Sequence, residues 1–310
     1  MNYRYDSNAG LEYIMDLKAL RYFVEVVRQK SFTRAAELLH VTQPTLSKMI
    51  RQLEEEMQSS LLVRGSRGVW PTDIGQTLYR HGSQILDQVR SVKDEIDEIK
   101  GMVRGSLRLG LAPMLSAPLF PCILRMFRER YPNISLTFIE AGSKRMAQAI
   151  SNGEVELGLI VEPVDLELFE ARPILSDQLV LVAPVSSPWA GRDFVAPEEL
   201  AEENFLMPTE DFLLPHMIRT YFRDAGFTPK EVGHSSQWQI LQIMVETGMG
   251  VAVVPRVICR LFDPAKIAMV RLKDPPPTIH LCVAWRRGGY PSFAARAWTD
   301  ISIEALKAHL

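Results

Sequence analysis

Residues 31–54 read SFTRAAELLHVTQPTLSKMIRQLE, and two helical patterns sharing one core across a tight turn account for them. Thr33 reads as the N-cap of a first helix with Ala36 and Leu39 inward, the small alanine letting a partner helix come close. Thr42 restarts the chain as a second N-cap. Pro44 falls in the first turn after it, where a missing N–H breaks no intrahelical bond, and Leu46, Ile50 and Leu53 follow at helical spacing. Only a turn fits between Leu39 and Thr42. Two helices too short to bury a face alone must therefore pack on one another, which is the helix-turn-helix arrangement.

The outward positions of the second helix are Gln43, Thr45, Ser47, Lys48 and Arg51, all donors or acceptors and none acidic. Such a surface suits an element entering the major groove of double-stranded DNA. Glutamine bonds adenine bidentately, threonine offers a methyl to thymine, and lysine or arginine reaches guanine or phosphate. The bland alternative for any one of these residues is an ordinary solvated surface. The turn, the proline and the charge pattern together argue against it.

The 310 residues carry 35 Lys and Arg against 37 Asp and Glu, a net charge of −2 that looks unpromising for a nucleic-acid binder until it is divided by region. Residues 16–75 hold nine basic and seven acidic residues, whereas residues 101–310 hold 21 against 23. Within the first region Arg28, Lys30, Arg34, Lys48, Arg51, Arg64 and Arg67 have few acids among them, and Glu54, Glu55 and Glu56 cluster at the far end of the second helix. Phosphate neutralisation needs local charge, not a basic chain. The length suggests two or three domains. No run of about 18 apolar residues exists to span a bilayer, and the N-terminus lacks the order of a secretory signal, so a cytoplasmic protein without membrane contact is expected. Cys122, Cys259 and Cys282 are far apart and odd in number, which supports neither a disulfide framework nor a metal site.

Residues 1–14 fit no periodic pattern and read as a loosely ordered N-terminal extension. From Leu17 to Val27 an amphipathic helix gives the helix pair a third wall. LLVRGSRGVWPTDIG then reads as a two-stranded hairpin with Arg64 and Arg67 outward, a wing able to reach phosphates or the adjacent minor groove. From Ile74 to Val103 the apolar residues fall at coiled-coil spacing from Val89 onward, a seam expected to pair with the same helix of another subunit. The steps His81, Ile85, Val89 mark a local phase shift. Past Gly101, strands such as LRLGLA, ISLTFIE, LGLIV, QLVLVAP, VAVVP and IHLCVAW alternate with helices at Pro118–Arg130, Arg145–Ser151, Phe212–Ala225, Trp238–Thr247 and Phe293–His309. The alternation predicts parallel sheets with helices on both faces.

The run Ala35 to Glu54, A-A-x-x-L-x-V-T-Q-P-x-L-S-x-x-I-x-x-L-E, followed by the hairpin, the seam helix and GSLRLGL, resembles the LysR-type transcriptional regulators over nearly all of residues 15–310. GEVELGLIV and ETGMGVAVVP continue the likeness more weakly. The departures at Leu62 and Pro71 concern packing and a strand end. The resemblance implies an α+β chain: a winged helix-turn-helix over residues 15–73, a long linker and dimerisation helix over 74–103, and an effector domain over 104–310. That domain would be similar to type 2 periplasmic binding proteins, with subdomain I at 105–166 and 274–310 and subdomain II at 167–273. Crossovers are expected near Pro163 to Glu167 and near Lys273 to Pro277.

By position, the resemblance implies DNA contacts from Arg34, Thr42, Gln43, Pro44, Thr45, Ser47, Lys48 and Arg51, with Arg64 and Arg67 on the wing. It implies an effector site at Pro113, Met114, Leu115 and Ser116 and at Gly142, Ser143 and Lys144, bordered by Glu162, Thr209 and Gln237. Hydroxyls and helix N-termini there suit a carboxylate or other anion, and Met114 an apolar ligand body. The partners implied are double-stranded DNA, a homodimer or homotetramer, RNA polymerase and a small-molecule co-inducer, with no cofactor. Two other classes share such a two-lobed scaffold. A transferase would need chemistry that is missing, because the six histidines are scattered and no H-E-x-x-H or G-x-S-x-G occurs. GMG at 248–250 reads as a helix C-cap. A free-standing solute-binding module would not carry the winged helix.

Overall fold

A computed structural model of the chain describes residues 15–65, 68–99, 104–273 and 275–309. It divides into two compact units, one through Lys93, to which Asn152–Glu154 are grouped, and one from Asp94 onward. The first unit begins with α1 (Leu17–Gln29), α2 (Phe32–Leu38) and α3 (Gln43–Glu56). Phe23, Val27, Phe32, Ala35, Ala36, Leu46, Ile50 and Leu53 share its core.

The cap of α2 is Ser31, not Thr33. Ser31 has the extended backbone a cap requires (φ −157°, ψ 124°), and its hydroxyl accepts the Arg34 N–H at 3.3 Å, while Thr33 already lies within the helix. Thr42 caps α3, accepting the Thr45 N–H at 3.4 Å, with Pro44 in the first turn.

The wing pairs β1 (Leu62–Gly65) antiparallel to β2 (Gly68–Pro71), with Val63 opposite Trp70. Three hydrogen bonds fasten it to the helices. The Glu54 carboxylate at the end of α3 accepts the N–H groups of Leu61 (2.8 Å) and Leu62 (3.2 Å), and the Val69 N–H donates to the Lys30 carbonyl at 3.0 Å. A Cβ on Gly68, at φ +129°, would stand 2.8 Å from that carbonyl oxygen, so only glycine lets the strand come this close.

The 27-residue helix α4 (Asp73–Ile99) is about 40 Å long. Its first half packs on the head through Leu78, Tyr79 and Leu86. Further along, Val89, Val92 and Ile96 are 48, 59 and 45% exposed. The phase shift read at His81 to Val89 falls where the helix stops covering its own head. The last seam positions, the Ile99 side chain and Val103, lie outside the described residues, as does the 1–14 extension.

The second unit runs β3 (Gly105–Leu111), α5 (Pro113–Arg130), β4 (Ile134–Glu140), α6 (Ser143–Ser151), β5 (Leu157–Val161), β6 (Phe169–Pro184), β7 (Phe194–Val195), β8 (Asn204–Pro208), α7 (Leu214–Asp224), β9 (Lys230–Ser235), α8 (Trp238–Glu246), β10 (Val251–Pro255), β11 (Ile267–Leu272), β12 (Thr278–Arg286) and α9 (Phe293–His309). Short 3₁₀ segments occur at Pro197–Leu200 and Arg256–Leu261. The strands form one sheet in the order β4-β3-β5-β12-β6-β10-β8-β9, with β11 added beside β6 and β7 beside β11.

This sheet is mixed rather than parallel. The pairs of β3 with β4 and β5, and of β8 with β9 and β10, are parallel, but β6 and β12 run antiparallel to each other and to their other neighbours on the main path. The reason is that β6 serves two lobes: residues 169–178 pair with β12, and from Leu179 the same strand pairs with β10 and β11. The first crossing therefore lies within β6 and not at Pro163 to Glu167. ILSDQLVLV stays extended through the change of partners, and no proline or glycine marks the passage. The chain returns between Leu272 and Thr278.

Other boundaries also moved. Helix α5 starts at Pro113, five residues before the predicted Pro118, because prolines at both 118 and 121 are carried inside the helix. Helix α6 begins at Ser143 rather than Arg145, and α7 spans Leu214–Asp224. Strands β7, β8 and β11 have no counterpart in the alternation that the sequence displays. Leu46 is fully buried at the centre of the head, so Leu46→Ala should cost about 2–5 kcal/mol. A lowered midpoint of urea unfolding for the head, with the second unit's transition unchanged, is the expected result.

Candidate nucleic-acid interface and effector cleft

Helix α3 has no acidic residue in its first turn, and its N-terminal N–H groups add partial positive charge there. Gln43, Pro44, Thr45, Lys48 and Arg51 are exposed, with 44, 48 and 51 following one another along one face. Thr42 is exposed too, but its hydroxyl is engaged with the Thr45 N–H and lies 2.8 Å from the Thr45 hydroxyl, so its role is to start the helix.

Ser47 departs from the expectation. It is half-buried, and its hydroxyl oxygen is covered and has no hydrogen-bond partner among the described residues. The helical step from buried Leu46 toward Ile50 turns position 47 partly inward. It does not belong to the open face that carries Lys48 and Arg51.

Arg34 projects from α2 into solvent. On the wing, the Arg64 guanidinium stacks 4.3 Å from the Phe32 ring centroid, which directs it along the head surface. Arg67 lies outside the described residues. Lys30, which belongs to the basic group in the sequence but not to the site drawn from it, stands exposed beside the wing because its carbonyl receives the Val69 N–H. Its left-handed backbone (φ 51°) closes α1 and gives it that place.

In the second unit, the segments named for an effector follow strand C-terminal ends, the usual place for ligands in open α/β sheets. Ala112 precedes α5 and offers no side-chain cap, and Pro113 has no N–H, so the first donors of the helix, from Met114 onward, have no side-chain acceptor at the cap position; the side chains of Pro113, Met114, Leu115 and Ser116 themselves lie outside the described residues. The Ala141 N–H bonds the Leu111 carbonyl at 3.1 Å, bringing the starts of α5 and α6 side by side. Gly142 and Ser143 are half-buried and Lys144 is exposed. A side chain at Gly142 would run into the carbonyl of Asp211, so the loop before α6 touches the loop after β8 and the two lobes meet there.

Thr209 stands two residues from Asp211. Its N–H bonds the Ser235 carbonyl at 3.2 Å, and its hydroxyl is buried with no partner among the described residues. Gln237 is exposed at the start of α8, where the Ser235 hydroxyl bridges to its N–H and carbonyl, each at 3.1 Å. Glu162 is exposed, and one of its carboxylate oxygens accepts the Cys282 thiol at 3.4 Å. The structure thus brings Gly142 and Thr209 to one place, while Glu162 is engaged with β12.

Two contributors escaped the sequence reading. Ser235 carried a legible signal, a serine between a strand and a helix. The other is Arg219, which grips Glu231 through two bonds (2.6 and 2.8 Å) and reaches Glu210 at 2.6 Å, anchoring the loop that holds Thr209. His234 adds a bond to Glu231 at 2.7 Å. The Arg219 guanidinium first, and His234 after it, hold the Glu231 carboxyl below its ordinary range against the opposing effect of burial. These partners come from three separate elements, so no local spacing announces them.

Burial pushes the Cys259 thiol up to about 12, and burial together with Glu162 does the same for Cys282. Among the described residues no group of three or more His, Cys, Asp or Glu could hold a metal ion, and no helix is long and apolar enough to cross a membrane.

Two family models match the chain: the bacterial regulatory helix-turn-helix protein, lysR family, over residues 17–76, and the LysR substrate binding domain over residues 100–307. An uncharacterized HTH-type transcriptional regulator of Bacillus subtilis, YwbI, is 38% identical over 286 residues, covering 92% of this chain and 95% of that one. The Hca operon transcriptional activator HcaR of Escherichia coli is 30% identical, covering 88 and 93%. Among solved structures, a full-length OxyR variant from Pseudomonas aeruginosa superposes with a TM-score of 0.80 at 23% identity, covering 94 and 95%. The likeness embraces the winged head and the two-lobed domain together, and these relatives are regulators rather than enzymes. The chain belongs to the LysR family of DNA-binding transcriptional regulators.

Proposed function

We propose that the second unit takes a small anion, a carboxylate in the first instance, between its lobes, and that this ligand sets the spacing of paired DNA heads. The contact of Gly142 with Asp211 carries the reading, because it sets a helix N-terminus of one lobe against the Thr209 loop of the other. Backbone N–H groups at the starts of α5 and α6, the Lys144 ammonium, the unpartnered Thr209 hydroxyl and Gln237 supply donors without an acidic neighbour in either first turn. Neither Cys259 nor Cys282 is a thiolate, which disfavours for them the peroxide chemistry suggested by one relative's name, a hydrogen peroxide-inducible genes activator.

The exposed stripe of Val89, Val92 and Ile96 favours pairing of α4 with a second copy, giving a dimer or a dimer of dimers. The working division is then a head over 15–73, a pairing helix over 74–103 and an effector domain over 104–310, acting in the cytoplasm with RNA polymerase as the final partner. A mobility shift of the full chain on DNA upstream of its own coding region tests the regulator reading itself.

Two outcomes follow for the residues. Arg51→Ala should weaken operator binding by about 1–3 kcal/mol while sparing random DNA, whereas Arg67→Ala should chiefly lower the salt slope, by about 1. Equal losses on operator and random DNA would reassign Arg51 to phosphate. For the cleft, thermal unfolding is followed across a panel of small carboxylates. One bound at a hundred times its Kd should stabilise the second unit by about 2.7 kcal/mol, and Thr209→Val should abolish most of that gain. Stabilisation untouched by Thr209→Val would place the ligand elsewhere.

A further inference from the structure

Strand β6 buries alternate residues on one face around the point where it passes from one lobe to the other, and Leu175, Asp177 and Leu179 occupy that face. The middle one is a carboxylate in a slot the alternation reserves for an apolar side chain, with its side chain only 2% exposed. Burying an ion there costs more than an isolated hydrogen bond returns. Its bonds show what it gains.

Oδ2 of Asp177 accepts the Val257 N–H at 2.7 Å, across 80 residues of sequence. Val257 is the second residue of the 3₁₀ segment Arg256–Leu261, whose first N–H groups have no partner within the segment. That segment follows β10, which belongs to the second lobe, and packs against α5 of the first. The groups facing Asp177 are the Arg256 guanidinium at 3.7 Å, mostly exposed, then Arg260 and the Cys259 thiol; Ile279 stands opposite it on β12, and the neighbouring His280 is exposed.

We infer that Asp177 is a positioning residue at the joint between the lobes, holding the 3₁₀ segment to the crossing strand and, through that segment, α5. One end of α5 opens on the effector cleft, so the bond links cleft geometry to the angle between lobes. That consequence rests on the effector reading, but the joint itself does not.

Hydrogen–deuterium exchange of the full chain, without DNA or ligand, tests the joint. Asp177→Leu should raise exchange at 257–262 and along α5 by about tenfold or more while β8, β9 and the head keep wild-type rates. Asp177→Asn should keep the protection, since its amide oxygen still accepts the Val257 N–H. Unchanged exchange in the leucine variant would overturn the inference, and so would an even rise over the whole second unit, which would mark ordinary loss of stability.

The asparagine variant supplies a second readout should the leucine variant fail to fold. Burial, the largest influence, raises the Asp177 carboxyl above its ordinary value, against the Val257 N–H and the two arginines. At this carboxyl the folded state therefore holds more protons than the unfolded state between the ordinary and the raised pKa, so the contribution of Asp177 to stability falls as pH rises through that window. Asp177→Asn should remove this slope; an identical slope in both proteins would contradict the placement of a buried ionisable group at the joint. Failure of every carboxylate to bind, with this exchange pattern intact, would count against the effector reading alone.

Discussion

Burial of Leu46, Ile50 and Leu53 in one cluster with Phe23, Val27 and Ala35 decides which face of α3 is left to solvent, and the head's use of DNA depends on that choice. Each of the three contributes about 1.5–3 kcal/mol on leaving water. Rotating the helix by one residue would lift them out and turn Ser47 and Arg51 toward the core, at a further cost for burying a charge. The orientation of Gln43, Thr45, Lys48 and Arg51 is therefore a consequence of packing. Glu54 extends the same constraint to the wing, since its two bonds to Leu61 and Leu62 fix β1 to the end of α3.

In the second unit the corresponding constraint is one strand shared by two lobes. Because β6 continues unbroken from β12 to β10, one strand ties the two lobes together at the point where its partners change. Gly142 and Asp211 meet on the cleft side, and Asp177 grips the 3₁₀ segment at the crossing itself. The effector proposed to enter between Gly142 and Thr209 would act on a body tied at these two places.

The head was legible in the sequence because its signals are local. Caps, a first-turn proline and a 3.6-residue period all fall within 24 residues of one another, and the main miss, Ser31 for Thr33, concerns which of two hydroxyl residues on either side of Phe32 takes the extended conformation. The second unit was legible in type but not in connection. The first half of β6, FEARPILS, carries charges and Pro173, so its pattern is poor. It is a strand because β12, about a hundred residues later, pairs with it and absorbs the irregularity in a register shift opposite Pro173. Likewise Ser47 points partly inward because of where its helix packs, and Arg219 acts through residues on β9 and the β8 loop. None of these partners can be found by spacing.

In the proposed regulator identical heads are held in pairs on stiff helices, so that recognition belongs to two half-sites at once. Binding of the full chain to DNA carrying two half-sites, with the spacer lengthened one base pair at a time, measures this directly. Affinity should peak at one separation and recover about 10–10.5 base pairs later, when both sites face the same side again. Affinity indifferent to the spacer, or equal on a single half-site, would contradict the pairing of heads.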